Sequence, residues 1–178
     1  MVRRKIRKQA DKSLRSGKPG FHEYLMGIAL AVRARANCKG RHVGAVLAKD
    51  ERVISTGYNG TPRGMTNCEE GGCYRCDNRE KRFGPGTAYD ICICVHAEQN
   101  ALLAAARFGV PSADSAIYTT HQPCFGCAKE LLQAGVKEVY YVKPWVPDDK
   151  DLSRQYRIVL ARFDRVQRLS SMDFDETR

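Results

Sequence analysis

The chain has 178 residues, of which 43% are apolar, so it is long enough to form a globular domain with a buried core. It contains no run of eighteen apolar residues and no apolar segment near its N-terminus, so neither a transmembrane helix nor a secretory signal is predicted. We therefore expect a cytoplasmic protein with reduced thiols. Its eight cysteines are then candidates for metal binding or catalysis instead of disulfides.

The net charge of +10 suggests a nucleic-acid partner, but the distribution of the charge weakens that interpretation. Residues 1–18 contain eight Lys and Arg and a single Asp, so seven of the ten net positive charges lie in this segment. We interpret residues 1–20, which end at Pro19-Gly20, as a disordered, solvated tail. An arm that helps to hold nucleic acid is the alternative.

After the tail, predicted helices and strands alternate. A helix over Phe21–Ala36 precedes a hairpin with strands at Val43–Ala48 and Val53–Thr56 and a turn at residues 49–51. Residues 59–91 form a polar stretch that is too long for an unsupported loop in a compact domain. The later elements are helix His96–Gly109, strand Ser115–Thr120, a helix from Pro123 to about Ala134, strand Glu138–Val142, helix Asp149–Phe163 and edge strand Arg165–Leu169. This alternation predicts one α/β domain over residues 21–178.

Two short motifs indicate a catalytic metal site. Cys124 and Cys127 form a Cys-x-x-Cys at the start of a predicted helix, where the positive helix end stabilises thiolates. His96 opens another helix, and three protein ligands leave the fourth position of a zinc ion open for water, which is typical of catalytic zinc. Glu98 follows two residues after His96. A carboxylate there can take a proton from that water and pass it to a substrate.

The other cysteines are candidate ligands of a second, structural zinc. A tetrahedral zinc ion needs four ligands, so this group holds two more than one ion requires. All but one of them bracket the long polar stretch, so the ion would hold residues 59–95 against the fold. The alternative is a set of reduced thiols without metal. The sequence leaves open which four bind among Cys38, Cys68, Cys73, Cys76, Cys92 and Cys94.

Between about Phe21 and Val142 the chain resembles the deoxycytidylate (dCMP) deaminases of the cytidine deaminase superfamily. The His-x-Glu at residues 96–98 and the Pro-Cys-x-x-Cys at residues 123–127 match the zinc deaminase signature. The stretch Gly57–Pro62, "GYNGTP", separates this family from its relatives better than the zinc motif does. Further similar stretches are "FHEYLMGIAL", "NCEEGGCYRC", "CICVHAEQNALL" and "IYTTHQPCFGCAKELLQAGVKEVYYV".

The resemblance implies a fold and an activity. The fold would be a five-stranded mixed sheet with helices on both faces, and the reaction would be hydrolysis of dCMP to dUMP and ammonia, which supplies thymidylate synthesis. The His96, Cys124 and Cys127 side chains would hold zinc. Asn59 and the main-chain amide of Ala97 would contact the nucleotide.

The resemblance further implies assembly and regulation. Such enzymes are commonly homohexamers that are activated by dCTP and inhibited by dTTP, with Mg²⁺ accompanying the triphosphate. The effector site would involve Gly57, Tyr58, Asn59 and Gly60. The structural zinc would take Cys38, Cys68, Cys73 and either Cys92 or Cys94, which leaves Cys76 surplus.

The resemblance assigns no role to the tail and no residue to the contact with the 5′-phosphate. The cations near the edge of the predicted pocket, which are candidates for that contact, are Arg33, Arg35, Lys39 and Arg41. Two other functions stay open. A deaminase acting on tRNA or single-stranded DNA would use the basic tail as an electrostatic handle, whereas "GYNGTP" favours free dCMP. A zinc-stabilised nucleotide-binding module without turnover would have no use for Glu98.

Overall fold

A computed structural model describes residues 18–83 and 87–170, so the predicted tail lies almost wholly outside the described residues. The sheet has the strand order β2-β1-β3-β4-β5. β1 runs antiparallel to β2 and β3, while β3, β4 and β5 are parallel to one another. The predicted five-stranded mixed sheet, with its C-terminal strand at an edge, is confirmed. The strands are β1 Gly44–Lys49, β2 Arg52–Tyr58, β3 Ala116–His121, β4 Glu138–Lys143 and β5 Arg165–Arg168.

Helices cover both faces of the sheet, as the resemblance implied. Side chains on β1 alternate between the two faces. Val46 and Ala48 pack with α1, whereas Ala45 and Leu47 belong to the core beneath α3, α4 and α5. No helix in the described ranges is long and apolar enough to cross a membrane. The helices are α1 Phe21–Arg33, α2 Tyr74–Asp77, α3 Ala97–Arg107, α4 Phe125–Gln133 and α5 Lys150–Leu160.

The hairpin turn is tighter than the sequence predicts. Asp50 and Glu51 have φ angles of 48° and 61°, the positive values that a two-residue type I′ turn needs at both central positions. Lys49 therefore pairs directly with Arg52, and both strands of the hairpin reach the turn.

The polar stretch after β2 contains short elements in place of a single loop. It includes 3₁₀ turns at Cys68–Glu70 and Tyr89–Ile91, and α2 lies between them. At its base, the Gly60 and Val95 main chains exchange two hydrogen bonds of 3.2 and 2.8 Å. This bridge joins the end of β2 to the segment that leads into α3, so the stretch begins and ends beside the same helix.

Candidate active site

Three donor atoms meet where α3 and α4 begin. His96 is the N-cap of α3, Cys124 is the N-cap of α4, and Cys127 lies in the first turn of α4. The Nδ1 atom of His96 is 3.5 Å from the Cys124 sulfur and 3.4 Å from the Cys127 sulfur, and the two sulfurs are 3.6 Å apart. A tetrahedral zinc ion with bonds of about 2.0–2.3 Å separates such ligands by about 3.5–3.8 Å. The three side chains therefore fit one zinc ion and leave its fourth position for another ligand.

The surroundings of Cys124 favour its thiolate form, which is the form that binds metal. Hydrogen bonds with the Cys127 thiol and with His96 lower the pKa of Cys124 to about 4. The hydrogen bond with Cys124 and burial together raise the pKa of Cys127. A metal cation bound between the two sulfurs would displace the proton of the Cys127 thiol, so both sulfurs can become ligands.

Glu98 is buried beside this donor set. Glu98 is 4% exposed and lies in the first turn of α3. Burial raises the pKa of its carboxyl group, because a charged form is costly away from water. A carboxyl group with a raised pKa holds a proton more readily than an exposed one does, so it is suited to accept a proton and pass it on.

Thr119 holds the Glu98 carboxyl group from the sheet below. Its hydroxyl oxygen is 3.2 Å from Oε1 of Glu98 and 2.9 Å from the main-chain oxygen of His121. A hydroxyl group has one proton to donate and can also accept. It can therefore donate to ionised Glu98, or accept from protonated Glu98 while donating to His121. Thr119 was not among the predicted site residues, because "TT" inside a strand does not indicate which threonine faces the helix that bears Glu98.

A cavity of about 500 Å³ opens onto the donor set. Glu98, Ala97 and Asn59 line it, as does Tyr89, whose ring stands edge-on to the His96 ring with centroids 6.3 Å apart. Ala97 is the first residue of α3, so its N–H has no acceptor within the helix. Tyr89 was not among the predicted site residues, since it lies in the polar stretch three residues before Cys92 and no motif includes it.

Asn59 is 7% exposed, and its amide fixes a neighbouring loop. Its Oδ1 accepts from the Val43 N–H at 2.7 Å, and its Nδ2 donates to the Arg41 main-chain oxygen at 2.6 Å. The predicted nucleotide contact therefore also positions the backbone that carries Arg41. Arg41 lines this cavity and an adjoining one of about 720 Å³.

The glycines of the predicted effector segment are packing positions. A Cβ atom at Gly57 would lie 2.1 Å from the Ala97 main-chain oxygen, so the glycine allows β2 to pack directly on α3. At Gly60 a Cβ atom would lie 2.4 Å from the Asn37 side chain. Tyr58, between them in sequence, is 37% exposed. Effector binding here stays a prediction.

The six remaining cysteines gather next to the same cavity. They form two overlapping groups in which all sulfurs lie within 4.8 Å of one another. The resemblance left Cys76 surplus, whereas the structure places Cys76 in both groups, so which cysteines bind metal stays a prediction. Cys73 is the N-cap of the short helix α2, and the turn that follows brings the Cys76 sulfur 3.8 Å from that of Cys38. The groups are Cys38, Cys68, Cys76, Cys94 and Cys73, Cys76, Cys92, Cys94.

The sequence matches a family model described as the cytidine and deoxycytidylate deaminase zinc-binding region over residues 19–143. It is 46% identical over 124 residues to a deoxycytidylate deaminase of Schizosaccharomyces pombe, covering 70% of this chain and 37% of that protein. The corresponding protein of Saccharomyces cerevisiae is 40% identical over 133 residues, covering 75% of this chain and 41% of that protein. The chain thus spans about two fifths of the length of these curated relatives.

Shorter relatives align over nearly their whole length. A deoxycytidylate deaminase of Mycobacterium phage D29 is 39% identical, with 71% of this chain and 97% of that protein covered. The crystal structure of dCMP deaminase from the cyanophage S-TIM5 in complex with dCMP and dUMP has a TM-score of 0.63 at 32% identity, covering 85% of this chain and 98% of that one. The chain belongs to the deoxycytidylate deaminase family of the cytidine deaminase superfamily.

Proposed function

We propose that this chain is a zinc-dependent deaminase that hydrolyses dCMP to dUMP and ammonia. The observation that carries the proposal is the meeting of three zinc-type donors with a buried carboxyl group at one end of a cavity. The two halves belong together, because a purely structural zinc site has no use for Glu98, whereas a zinc-activated water needs a group that takes its proton. The names of the similar proteins support the choice of dCMP.

The chemistry divides between the metal and the chain. His96, Cys124 and Cys127 would hold a zinc ion, which would lower the pKa of a water molecule and make it nucleophilic near neutral pH. Glu98 takes a proton from that water and delivers it to the ring nitrogen next to the carbon under attack. It then takes the remaining proton from the hydroxyl group formed on the attacked carbon and gives it to the amino group. The carbon–nitrogen bond breaks, ammonia leaves, and the oxygen stays on the ring as a carbonyl group.

The cavity supplies contacts for the rest of the nucleotide. The Ala97 amide, at the positive end of α3, donates to the pyrimidine carbonyl oxygen. Asn59 contacts the sugar with the remaining hydrogen-bonding capacity of its amide. Arg41 is our candidate for the 5′-phosphate, because a guanidinium group binds phosphate oxygens in pairs and this one lines the cavity.

The other cationic candidates are less well placed. The Lys39 ammonium group is 2.5 Å from the Asp77 carboxylate, so it already has an acidic partner. Arg33 lines the adjoining cavity but not the one at the donor set, and Arg35 lines neither. These positions make Arg35 a natural control for Arg41.

Further properties of the family complete the proposal. A second metal site holds the cysteine-rich stretch at residues 59–95 in place. A triphosphate with Mg²⁺ acts at the segment around the exposed Tyr58, with dCTP activating and dTTP inhibiting, in a homohexamer that acts in the cytoplasm. Removal of residues 1–18 leaves the reaction intact, because the described residues that line the cavity begin at Cys38.

The test is a substrate panel assayed with the full chain. Loss of cytosine absorbance is followed for dCMP, deoxycytidine, a cytosine-containing single-stranded DNA and a tRNA at matched cytosine concentrations. The proposal expects fast turnover of dCMP and slow turnover of the others. Turnover of the oligonucleotides without turnover of dCMP would show a polynucleotide deaminase instead. Binding of dCMP without turnover of any substrate would show a nucleotide-binding module.

A further inference from the structure

The cysteine cluster contains more sulfur than one zinc ion can bind. Both of its groups have four sulfur atoms within 4.8 Å of one another, and Cys76 and Cys94 are common to both groups. We propose that the cluster is a binuclear zinc–thiolate site, in which Cys76 and Cys94 bridge two zinc ions. Cys38 and Cys68 complete the coordination of one ion, and Cys73 and Cys92 that of the other.

The distances between sulfur atoms support two tetrahedra. The Cys38–Cys76 and Cys73–Cys92 separations are 3.8 Å, and the Cys76–Cys92 separation is 3.9 Å. A zinc–thiolate tetrahedron with bonds of about 2.3 Å has edges of about 3.8 Å. Each group thus contains at least one edge of the required length. Two tetrahedra that share the Cys76–Cys94 edge use all six sulfurs.

A single ion would leave two thiols of the cluster without a metal, and most of these side chains are closed off from water. Cys68 and Cys73 have no exposed surface, Cys76 is 5% exposed, and Cys38 and Cys94 are each 7% exposed. They pack against one another instead of into either apolar core of the sheet. A cluster of buried thiols contributes little apolar contact of its own, so the metal is what gives this arrangement its stability.

Charge does not prevent the second ion from binding. One divalent ion with four thiolates and two neutral thiols has a net charge of about −2, and two ions with six thiolates have the same net charge. The second ion therefore replaces two protons without adding charge to a buried site. The main-chain N–H groups of Lys39 and Gly40 point at the Cys68 and Cys38 sulfurs at 3.4 Å, which stabilises the thiolates.

The position of the cluster indicates that it fixes the chain segment next to the catalytic donors. Cys94 precedes the zinc-type ligand His96 by two residues, and Val95 between them pairs with Gly60. Cys38, Cys76, Cys92 and Cys94 line the same cavity as Glu98. Two ions linked through Cys94 fix the segment that leads into α3, and with it one wall of the cavity. The proposal extends the structural metal site proposed above from one ion to two, and its test does not require turnover.

The first experiment counts metal on the unaltered full chain. Native mass spectrometry with elemental analysis, under reducing conditions, is expected to find about three zinc ions per chain, one at His96 and two in the cluster. After replacement by ¹¹³Cd, two cluster resonances should be split by coupling to each other through the shared thiolates. A count of about two ions, a single cluster resonance, or iron in place of zinc would each overturn the proposal.

Substitutions then assign the ions. Cys73→Ser should release one ion and abolish the coupling between the cluster resonances, whereas Cys76→Ser should release both cluster ions. Cys124→Ser is the control, because it should release the His96 ion and leave the coupled pair unchanged. If Cys73→Ser left the metal count unchanged, Cys73 would not be a ligand and the binuclear site would be wrong.

Discussion

The two proposed metal sites of this chain lie against one cavity but differ in the coordination positions that they leave open. At His96, three donors surround a position that keeps room for a further ligand, and a buried carboxyl group stands beside it. In the cysteine cluster, every donor is a thiol, and no carboxylate or histidine belongs to the described groups. An incompletely coordinated ion can activate water, whereas fully coordinated ions can hold a segment in place. We therefore assign catalysis to the first site, and to the second the role of holding the cysteine-rich stretch in place.

The largest effect on catalysis is expected from Glu98→Gln. The amide keeps the size and hydrogen bonding of the side chain but cannot carry the proton, so kcat for dCMP should fall by about 10²–10⁴-fold. Zinc content and thermal stability should stay near those of the unaltered chain. Steady-state kinetics and metal analysis on one preparation check both. Turnover within tenfold of the unaltered chain would remove Glu98 from the chemistry.

The largest effect on stability is expected at the other site. Cys76→Ser should lower the free energy of unfolding by about 3 kcal/mol or more, and Tm by roughly 10 °C, because residues 59–95 depend on the cluster for order. Cys124→Ser should lower Tm less, since α3 and α4 pack on the sheet through a separate apolar core. Calorimetry on the two variants measures the contrast. Equal decreases in Tm for the two variants would contradict the division into a catalytic site and a structural site.

These contrasts also separate what the sequence could predict from what it could not. The spacing of His96, Glu98, Cys124 and Cys127 identified one site, because each residue type has a role at a fixed place at a helix start. The cysteine pool was found, but not its arrangement. Six thiols distributed over three chain segments can be combined in many ways, and only the path of the short elements between β2 and α3 brings Cys76 into both groups.

The fold class and most element boundaries were also predictable from the sequence, whereas contacts between elements were not. Alternating helices and strands gave the α/β class, and most boundaries lie within a few residues of the structure. Helix α1 ends at Arg33, before the predicted Ala36, and the hairpin strands run further than predicted because Asp50 and Glu51 accept positive φ angles. Contacts such as Thr119 with Glu98 depend on how α3 crosses β3, which no local pattern contains.

Arg41→Ala should affect binding more than chemistry. Loss of a charge-assisted contact to phosphate costs about 1.5–3 kcal/mol, so KM for dCMP should rise about 10–100-fold with little change in kcat. Deoxycytidine, which lacks the phosphate, should be turned over as slowly by the variant as by the unaltered chain. Arg35→Ala is the matched control, since Arg35 lines neither cavity. Equal kinetics for the two variants would leave the phosphate contact to another cation.

Thr119→Val should have a smaller effect, confined to the catalytic step. Removing the hydroxyl takes one hydrogen bond from Glu98, worth about 1 kcal/mol, so kcat should fall about fivefold while KM and zinc content stay constant. Thr119→Ser, which keeps the hydroxyl, should restore most of the rate. If the serine variant were as slow as the valine variant, packing of the methyl group and not the hydrogen bond would be responsible.

Deletion of residues 1–18 should have the smallest effect, a change in kcat/KM for dCMP of less than about twofold. The deletion removes seven of the ten net positive charges and none of the described residues that line the cavity. Assays at low and high salt test this, because screening reveals any electrostatic contribution of the segment to substrate capture. A large loss at low salt alone would make the segment part of substrate binding.

The most direct test of the central claim is the product formed from dCMP by the zinc-loaded full chain. Chromatography of the nucleotide and an enzymatic ammonia assay should find dUMP and ammonia in equal amounts, at many turnovers per chain and in proportion to occupancy of the His96 site. A chain with that site filled that forms neither product would contradict the assignment of chemistry to His96, Cys124, Cys127 and Glu98.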